Sequence, residues 1–228
     1  MAWFLDSILD LLFPPRCGGC GSWGKWFCDD CLKAIRFLKE PHCRFCGNPA
    51  EDWGICPSCA REPHSLEGII SVAYFEGPIQ KVVHLIKYQG KTALVSPLTE
   101  LMASRILRNP VQAEGIIPVP LHPSRYRERG FNQSALLAEG LSKHLGIPVL
   151  DGALERIRYT RPQVGLNAQE RKENVKGAFR ANPFKVAGKN LIVVDDVCTT
   201  GATLEECGVA LKEAGAKRVW GITLARAP

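Results

Sequence analysis

The chain reads as an α/β protein, a parallel sheet flanked by helices with a small cysteine-rich module ahead of it. Three observations predict this. Leu191 to Val194 are four consecutive apolar residues with no alternation, as expected of a central strand buried on both faces of a parallel sheet. A threonine- and glycine-containing loop follows, then a segment with apolar positions at Leu204, Cys207, Leu211 and Ala214 closed by Gly215, which completes a strand, loop and helix. Eight of the ten cysteines form four C-x-x-C pairs between Cys17 and Cys59. A chain of 228 residues holds one sizeable domain and a small one, and we draw the boundary between residues 1–66, an N-terminal helix and cysteine module, and residues 67–228, the α/β domain.

Met1 to Phe13 is apolar at Trp3, Phe4, Leu5, Ile8, Leu9, Leu11 and Leu12 but carries Asp6 and Asp10, lacks a basic start and ends at Pro14-Pro15. That reads as a poor signal peptide, and no stretch approaches the ~18 apolar residues of a spanning helix. The expected compartment is the cytoplasm, with this segment docked on its own domain or on a partner. The pairs Cys17/Cys20, Cys28/Cys31, Cys43/Cys46 and Cys56/Cys59 read as zinc ligands. Two intervening residues let a tight turn aim both sulfurs at one tetrahedral ion, and two such turns complete a four-thiolate site. A disulfide framework would need a secreted chain. Sequential closure gives two ribbons, and pairing the first turn with the third also fits the spacing. A module of about 45 residues cannot bury enough apolar surface alone, so the metals are expected to fold it. Trp23, Trp26, Phe27, Phe37, Phe45 and Trp53 read as its core, with stacking on single-stranded bases as the alternative. Cys198 and Cys207 stand apart, Cys198 lining the loop and Cys207 as a small buried residue.

In the second part Ile69 to Phe75 reads as a strand, Pro78 to Tyr88 as a helix with Ile79, Val82, Val83 and Ile86 on one face, and Leu98 to Leu107 as another helix. The strand Gly115 to Val119 leads to the loop Pro120 to Gln133, then to a helix through Leu145 that Gly146 stops. A polar, basic segment from Arg156 to Asn174 precedes the strand at Leu191, and Arg218 to Ala225 is a last strand. The net charge of +6 is uneven. Residues 1–66 hold seven basic against eight acidic residues, whereas residues 118–189 hold thirteen against six. The basic surface therefore belongs to the α/β domain.

Asp195 and Asp196 stand at the carboxyl end of the Leu191 strand, and Thr199, Thr200, Gly201, Ala202 and Thr203 follow. A helix's first turn leaves backbone N–H groups unpaired and carries about half a positive charge, so such a loop can wrap a phosphate monoester with N–H and hydroxyl donors. The carboxylates repel phosphate but suit the hydroxyls of a ribose, directly or through a Mg²⁺ held by those hydroxyls. The run resembles the phosphoribosyl pyrophosphate motif of type I phosphoribosyltransferases. In that likeness Asp195 and Asp196 contact the ribose, the threonine loop takes the 5-phosphate, and Arg125 and Arg129, with Arg127 and Gly130 beside them, receive the pyrophosphate. The segment Arg156 to Asn174 resembles the mobile loop that closes over the reaction centre in such enzymes.

The order of the cysteine pairs, K-Y-x-G at Lys87, R-G-F-N-Q at Arg129 to Gln133, T-x-x-Q-x-x-L at Thr160 to Leu166, and D-D-V-x-T-T-G-A-T at Asp195 to Thr203 resembles the ComF family of competence-associated proteins. The resemblance implies a double zinc ribbon joined to a type I phosphoribosyltransferase-like domain, with Lys87 among the substrate-binding residues. It also implies handling of incoming single-stranded DNA in the cytoplasm beside a helicase-like partner. Two departures qualify it. Thr199 stands where purine-salvage enzymes carry an aspartate base, and a threonine does not serve that role at neutral pH. The sequence ends at Pro228, directly after the strand Arg218 to Ala225, which leaves no carboxyl-terminal hood to select a base, so an acceptor pocket is expected from residues 67–110, the zinc module or a partner. Two functions compete: a transferase acting on phosphoribosyl pyrophosphate with Mg²⁺ and an unknown acceptor, and a non-catalytic adaptor that binds single-stranded DNA and uses the phosphate loop as a sensor.

Overall fold

The computed structural model describes residues 14–50, 54–161 and 165–227. The amino-terminal segment through Phe13, together with Trp53 and Gln163, lies outside them. Four parallel strands form the sheet: β1 (Gly68–Tyr74), β2 (Gly115–Pro118), β5 (Asn190–Cys198) and β6 (Arg218–Arg226), in the order β1-β6-β5-β2. Leu191 to Val194 are fully buried at its centre. The strand continues four residues past the apolar run, so the two aspartates lie in its carboxyl-terminal part, followed by Val197 and Cys198.

Two layers cover the sheet. On one face α2 (Gly77–Gln89), α3 (Val95–Arg108) and α5 (Gln133–Leu145) pack against Val72, Ile116, Ile192, Val194 and Ile222. The buried residues of α2, Ile79, Val82, Val83 and Ile86, keep the helical spacing expected of them, and Gly90 ends the helix in the left-handed conformation. On the other face α8 (Ala202–Glu213) sets Leu204, Cys207 and Leu211 against Ile69, Ile117, Leu191 and Val193. Beside it lie α6 (Ala168–Val175), α7 (Pro183–Val186) and the antiparallel pair β3 (Leu154–Arg156) with β4 (Phe179–Ala181). Two expectations are corrected here. The loop from Pro120 contains a short helix, α4 (Pro123–Arg129), started by Pro123 after a His122 cap. The segment from Arg156 to Asn174, expected as a mobile loop, holds regular structure at both ends: Arg156 closes β3, and an Asn167/Glu170 capping box starts α6.

The cysteine module, with its short helix α1 (Asp29–Lys33), sits on the edge strand β1. Its first half packs Cys17, Phe27, Cys31 and Ile35 into the α2/α3 layer, and its second half packs Cys43 and Phe45 into the α8 layer. The linker between them pairs with β1. Leu38 donates to the Val72 carbonyl and the Arg36 carbonyl accepts from Tyr74, with Phe37 bridging Ala73 in antiparallel fashion. The module thus covers hydrogen-bonding groups that an edge strand would otherwise expose. The aromatic expectation is half corrected: Phe27 and Phe45 are core, but Trp23, Trp26 and Phe37 are exposed, with Trp23 58% accessible under the Arg16 guanidinium.

Candidate functional site

The sulfurs of Cys17, Cys20, Cys28 and Cys31 lie within 4.8 Å of one another, as do those of Cys43, Cys46, Cys56 and Cys59. Closure is therefore sequential, first pair with second and third with fourth. Cys20 to Cys28 and Cys46 to Cys56 are each 3.6 Å, sulfur to sulfur, far beyond a disulfide and close to the edge of a zinc tetrahedron. Burial pushes the Cys43 thiol up, but backbone N–H groups of Cys56, Cys46 and Phe45 outweigh it and bring it down to about 6. Cys31 and Cys59 are driven up, first by burial and then by the neighbouring sulfurs. Each cluster thus crowds sulfurs that cannot all ionise side by side unless a divalent cation lies between them, which is the donor set of structural zinc.

The carboxyl ends of β2 and β5 open into a cavity of about 350 Å³, where parallel sheets place their ligands. Asp195 and Asp196 form part of its wall. Successive strand residues diverge. Asp196, 5% exposed, meets Lys87 Nζ of α2 at 2.5 Å and accepts from the Val197 N–H at 2.9 Å. Asp195 accepts from the Ser134 hydroxyl at 2.8 Å and from the Asp196 N–H at 2.9 Å. Burial and then the charge of Asp196 push Asp195 up to about 7, against the opposing pull of Lys87 and the Ser134 hydroxyl.

At one end the chain leaves β5 through Thr199, Gly201, Ala202 and Thr203, all lining the cavity. Gly201 caps α8 at φ +82°, and a Cβ there would stand 3.1 Å from Ile69, so both conformation and space select glycine. Thr200 is exposed, outside the cavity wall, and its hydroxyl accepts from the Ala202 N–H; the structure does not bring it together with the other loop residues. Cys198 ends β5, buried at the cavity wall. Arg125 and Arg129, one turn apart on α4, both line the cavity, while Arg127 is exposed and off the wall, as helical spacing dictates.

Three further arginines, Arg156, Arg161 and Arg171, line the same space. Sequence reasoning set Arg156 and Arg171 in a covering segment but assigned them no role. Their only signal was the basic bias of that segment, which does not tell an inward arginine from a solvated one. Arg125 donates to the Thr160 carbonyl and Arg156 to the Thr160 hydroxyl, so buried Thr160 holds both guanidinium groups. The Nε atoms of Arg156 and Arg171 are buried with no hydrogen-bond partner among the described residues. Counting Lys87, six permanent cations face two aspartates. The arrangement is suited to a ligand with several negative charges and a hydroxylated middle.

No helix among the described residues is long and apolar enough to cross a membrane. Residues 8–60 match the double zinc ribbon domain, and residues 132–228 match the phosphoribosyl transferase domain. Competence protein F of Haemophilus influenzae is 34% identical over 87% of this chain and 90% of its own length. DNA utilization protein YhgH of Escherichia coli K12 is 35% identical over 92% of this chain and 96% of its own. Competence protein ComFC of Bacillus subtilis is 26% identical over 87% and 83%. Two sequentially closed four-cysteine zinc sites, a parallel sheet with a threonine- and glycine-containing loop after β5, and near full-length relatives at one-third identity place the chain in the ComF family, a double zinc ribbon joined to a type I phosphoribosyltransferase-like domain.

Proposed function

We propose that the cavity binds phosphoribosyl pyrophosphate with Mg²⁺. The observation that carries this reading is a concentration of cations, two of them with buried Nε atoms that have no partner among the described residues, around a carboxylate pair at the mouth of a helix N-terminus. A buried donor without a partner costs about 1–3 kcal/mol, which an anionic ligand recovers. In this reading Thr199, Gly201, Ala202 and Thr203 take the 5-phosphate through backbone N–H and hydroxyl groups. Thr200 contributes by shaping the turn. Asp195 and Asp196 accept from the ribose hydroxyls, and Arg125 and Arg129, joined by Arg156 and Arg171, hold the pyrophosphate. Lys87 neutralises Asp196 in the free protein and has the pyrophosphate to turn to when it arrives. Mg²⁺ entering with the substrate beside Asp195 and Asp196 would supply positive charge to the leaving pyrophosphate. For a transferase, Asp195 and Asp196 stabilise positive charge at the anomeric carbon, the arginines stabilise the departing pyrophosphate, and the covering segment keeps water away.

Relatives named competence protein F and DNA utilization protein support a role in natural competence and DNA utilization; in our reading the protein acts in the cytoplasm, handling incoming single-stranded DNA beside a helicase-like partner. Exposed Trp23 and Trp26, with Arg16 stacked on Trp23 and Lys25 between them, favour the adaptor reading as a second role, since exposed aromatic and basic side chains together grip single strands. One experiment tests both. Labelled phosphoribosyl pyrophosphate and Mg²⁺ are incubated with bases and with single-stranded DNA, using the wild type and the Asp195→Asn/Asp196→Asn double variant. Pyrophosphate release lost in the variant supports the transferase, saturable binding without release supports the sensing adaptor, and no binding at all refutes the cavity assignment.

A further inference from the structure

The groups assigned to phosphoribosyl pyrophosphate leave one wall of the cavity unused. Phe75 directly follows β1, and His84 and Tyr88 stand one turn apart on α2 on either side of Lys87. Residues 84, 87 and 88 share a helical face, so the helix that delivers Lys87 to Asp196 also sets both rings on the wall of the cavity that the carboxylate pair lines. The rings touch without covering one another: Phe75 and His84 are 6.1 Å apart and tilted by 52°, and His84 meets Tyr88 edge-on at 5.7 Å. The Arg129 guanidinium lies 6.0 Å from the Tyr88 ring, which is 73% exposed. Such a wall adds little to an aliphatic or anionic nucleophile, whereas a flat heterocycle gains stacking area on it. It is also built from residues preceding those that match the phosphoribosyl transferase domain.

We infer that Phe75, His84 and Tyr88 form the acceptor subsite, and that it takes a planar nitrogen heterocycle of the nucleobase class. The inference rests on the phosphoribosyl reading of the adjoining cavity, and a nucleoside 5′-monophosphate, which joins ribose 5-phosphate to a base, spans both parts. The test is calorimetric titration of the full zinc-loaded chain with Mg²⁺ and, in turn, ribose 5-phosphate, adenosine 5′-monophosphate and cytidine 5′-monophosphate. At least one mononucleotide should bind about tenfold more tightly than ribose 5-phosphate, within the range one base–aromatic stack contributes. Tyr88→Ala, at an exposed position, and Phe75→Leu should remove most of that advantage while leaving ribose 5-phosphate binding within about twofold. Mononucleotides no tighter than ribose 5-phosphate, or an advantage that survives in a Tyr88→Ala/His84→Ala variant, would overturn the subsite and leave the phosphoribosyl reading standing. Failure of ribose 5-phosphate itself to bind would overturn both.

Discussion

Breaking the ion pair between Lys87 and Asp196 measures how the cavity holds a carboxylate ready for ligand. Asp196 is almost fully buried and its Oδ2 faces Lys87 Nζ at 2.5 Å, while the lysine side chain keeps 21% exposure. Removing one partner of a buried pair costs about 3–5 kcal/mol, because the other charge is left desolvated. Water reaches the lysine end, so Lys87→Met should fall below that, at about 2–3 kcal/mol. Asp196→Asn keeps an acceptor for the Val197 N–H and leaves a lysine that can turn to solvent, so about 1–2 kcal/mol is expected. The double variant has neither charge. It should cost less than the two single changes together, by roughly 1.5 kcal/mol, because the stranded carboxylate is gone. Urea unfolding of the zinc-saturated, magnesium-free chain provides the four corners of the cycle. Additivity within about 0.5 kcal/mol would refute the reasoning, since it would mean that lysine and aspartate are each solvated in the free protein.

Three other outcomes follow from the same geometry. Asp195 has a folded-state pKa of about 7 against an ordinary 3.8, so its contribution to stability is present below the ordinary value and is lost as pH rises towards 7; Asp195→Asn should therefore exceed the wild type in thermal midpoint at pH 8 and lose that advantage near pH 4, and a pH-independent gap would contradict the shift. Gly201→Ala forces an alanine into the left-handed region at a cost of about 1–2 kcal/mol, which should lower the thermal midpoint by about 2–8 °C and weaken ribose 5-phosphate binding; an unchanged midpoint by calorimetry would show that the loop relaxes freely. Stripping zinc with a chelator should speed amide exchange at Ile69 and Tyr74, which donate to the Arg44 and Arg36 carbonyls, while Val119, bonded to Val194, stays protected; equal acceleration at all three amides would instead mean global unfolding.

What was legible in the chain was local. The Leu191 strand, the turn at Gly201, the helix ending at Gly90 and the four cysteine pairs each follow from a few adjacent residues whose backbone requirements or ligand geometry leave little choice. The boundary of β5 was missed because an aspartate reads as a strand end, although here Ser134, Lys87 and backbone N–H groups satisfy the two carboxylates inside the sheet. Likewise the helix around Arg125 was hidden by its polar sequence, and with it the reason why Arg127 differs from its two neighbours. Arg156 and Arg171 acquire their role only when the β3–β4 pair and α6 fold back over the sheet, which no short pattern encodes.

The position of the zinc ribbons was illegible for the same reason, and it bears most on function. The ribbons clasp β1 from both sides, and their linker supplies its missing hydrogen bonds. After the second ribbon, His64 and Ser65 are bonded to Glu205 in the first turn of α8, the helix that follows the Thr199–Thr203 loop. Phe75, on the unused wall of the cavity, follows the clasped strand and donates its N–H to the Arg226 carbonyl at the end of β6, while the Arg226 guanidinium reaches back to Phe45 of the second ribbon. Both ends of the cavity therefore hang on elements that the metal-folded module holds. A change of metal occupancy would act on the loop after β5 and on the aromatic wall before it reached the β2–β5 centre of the sheet.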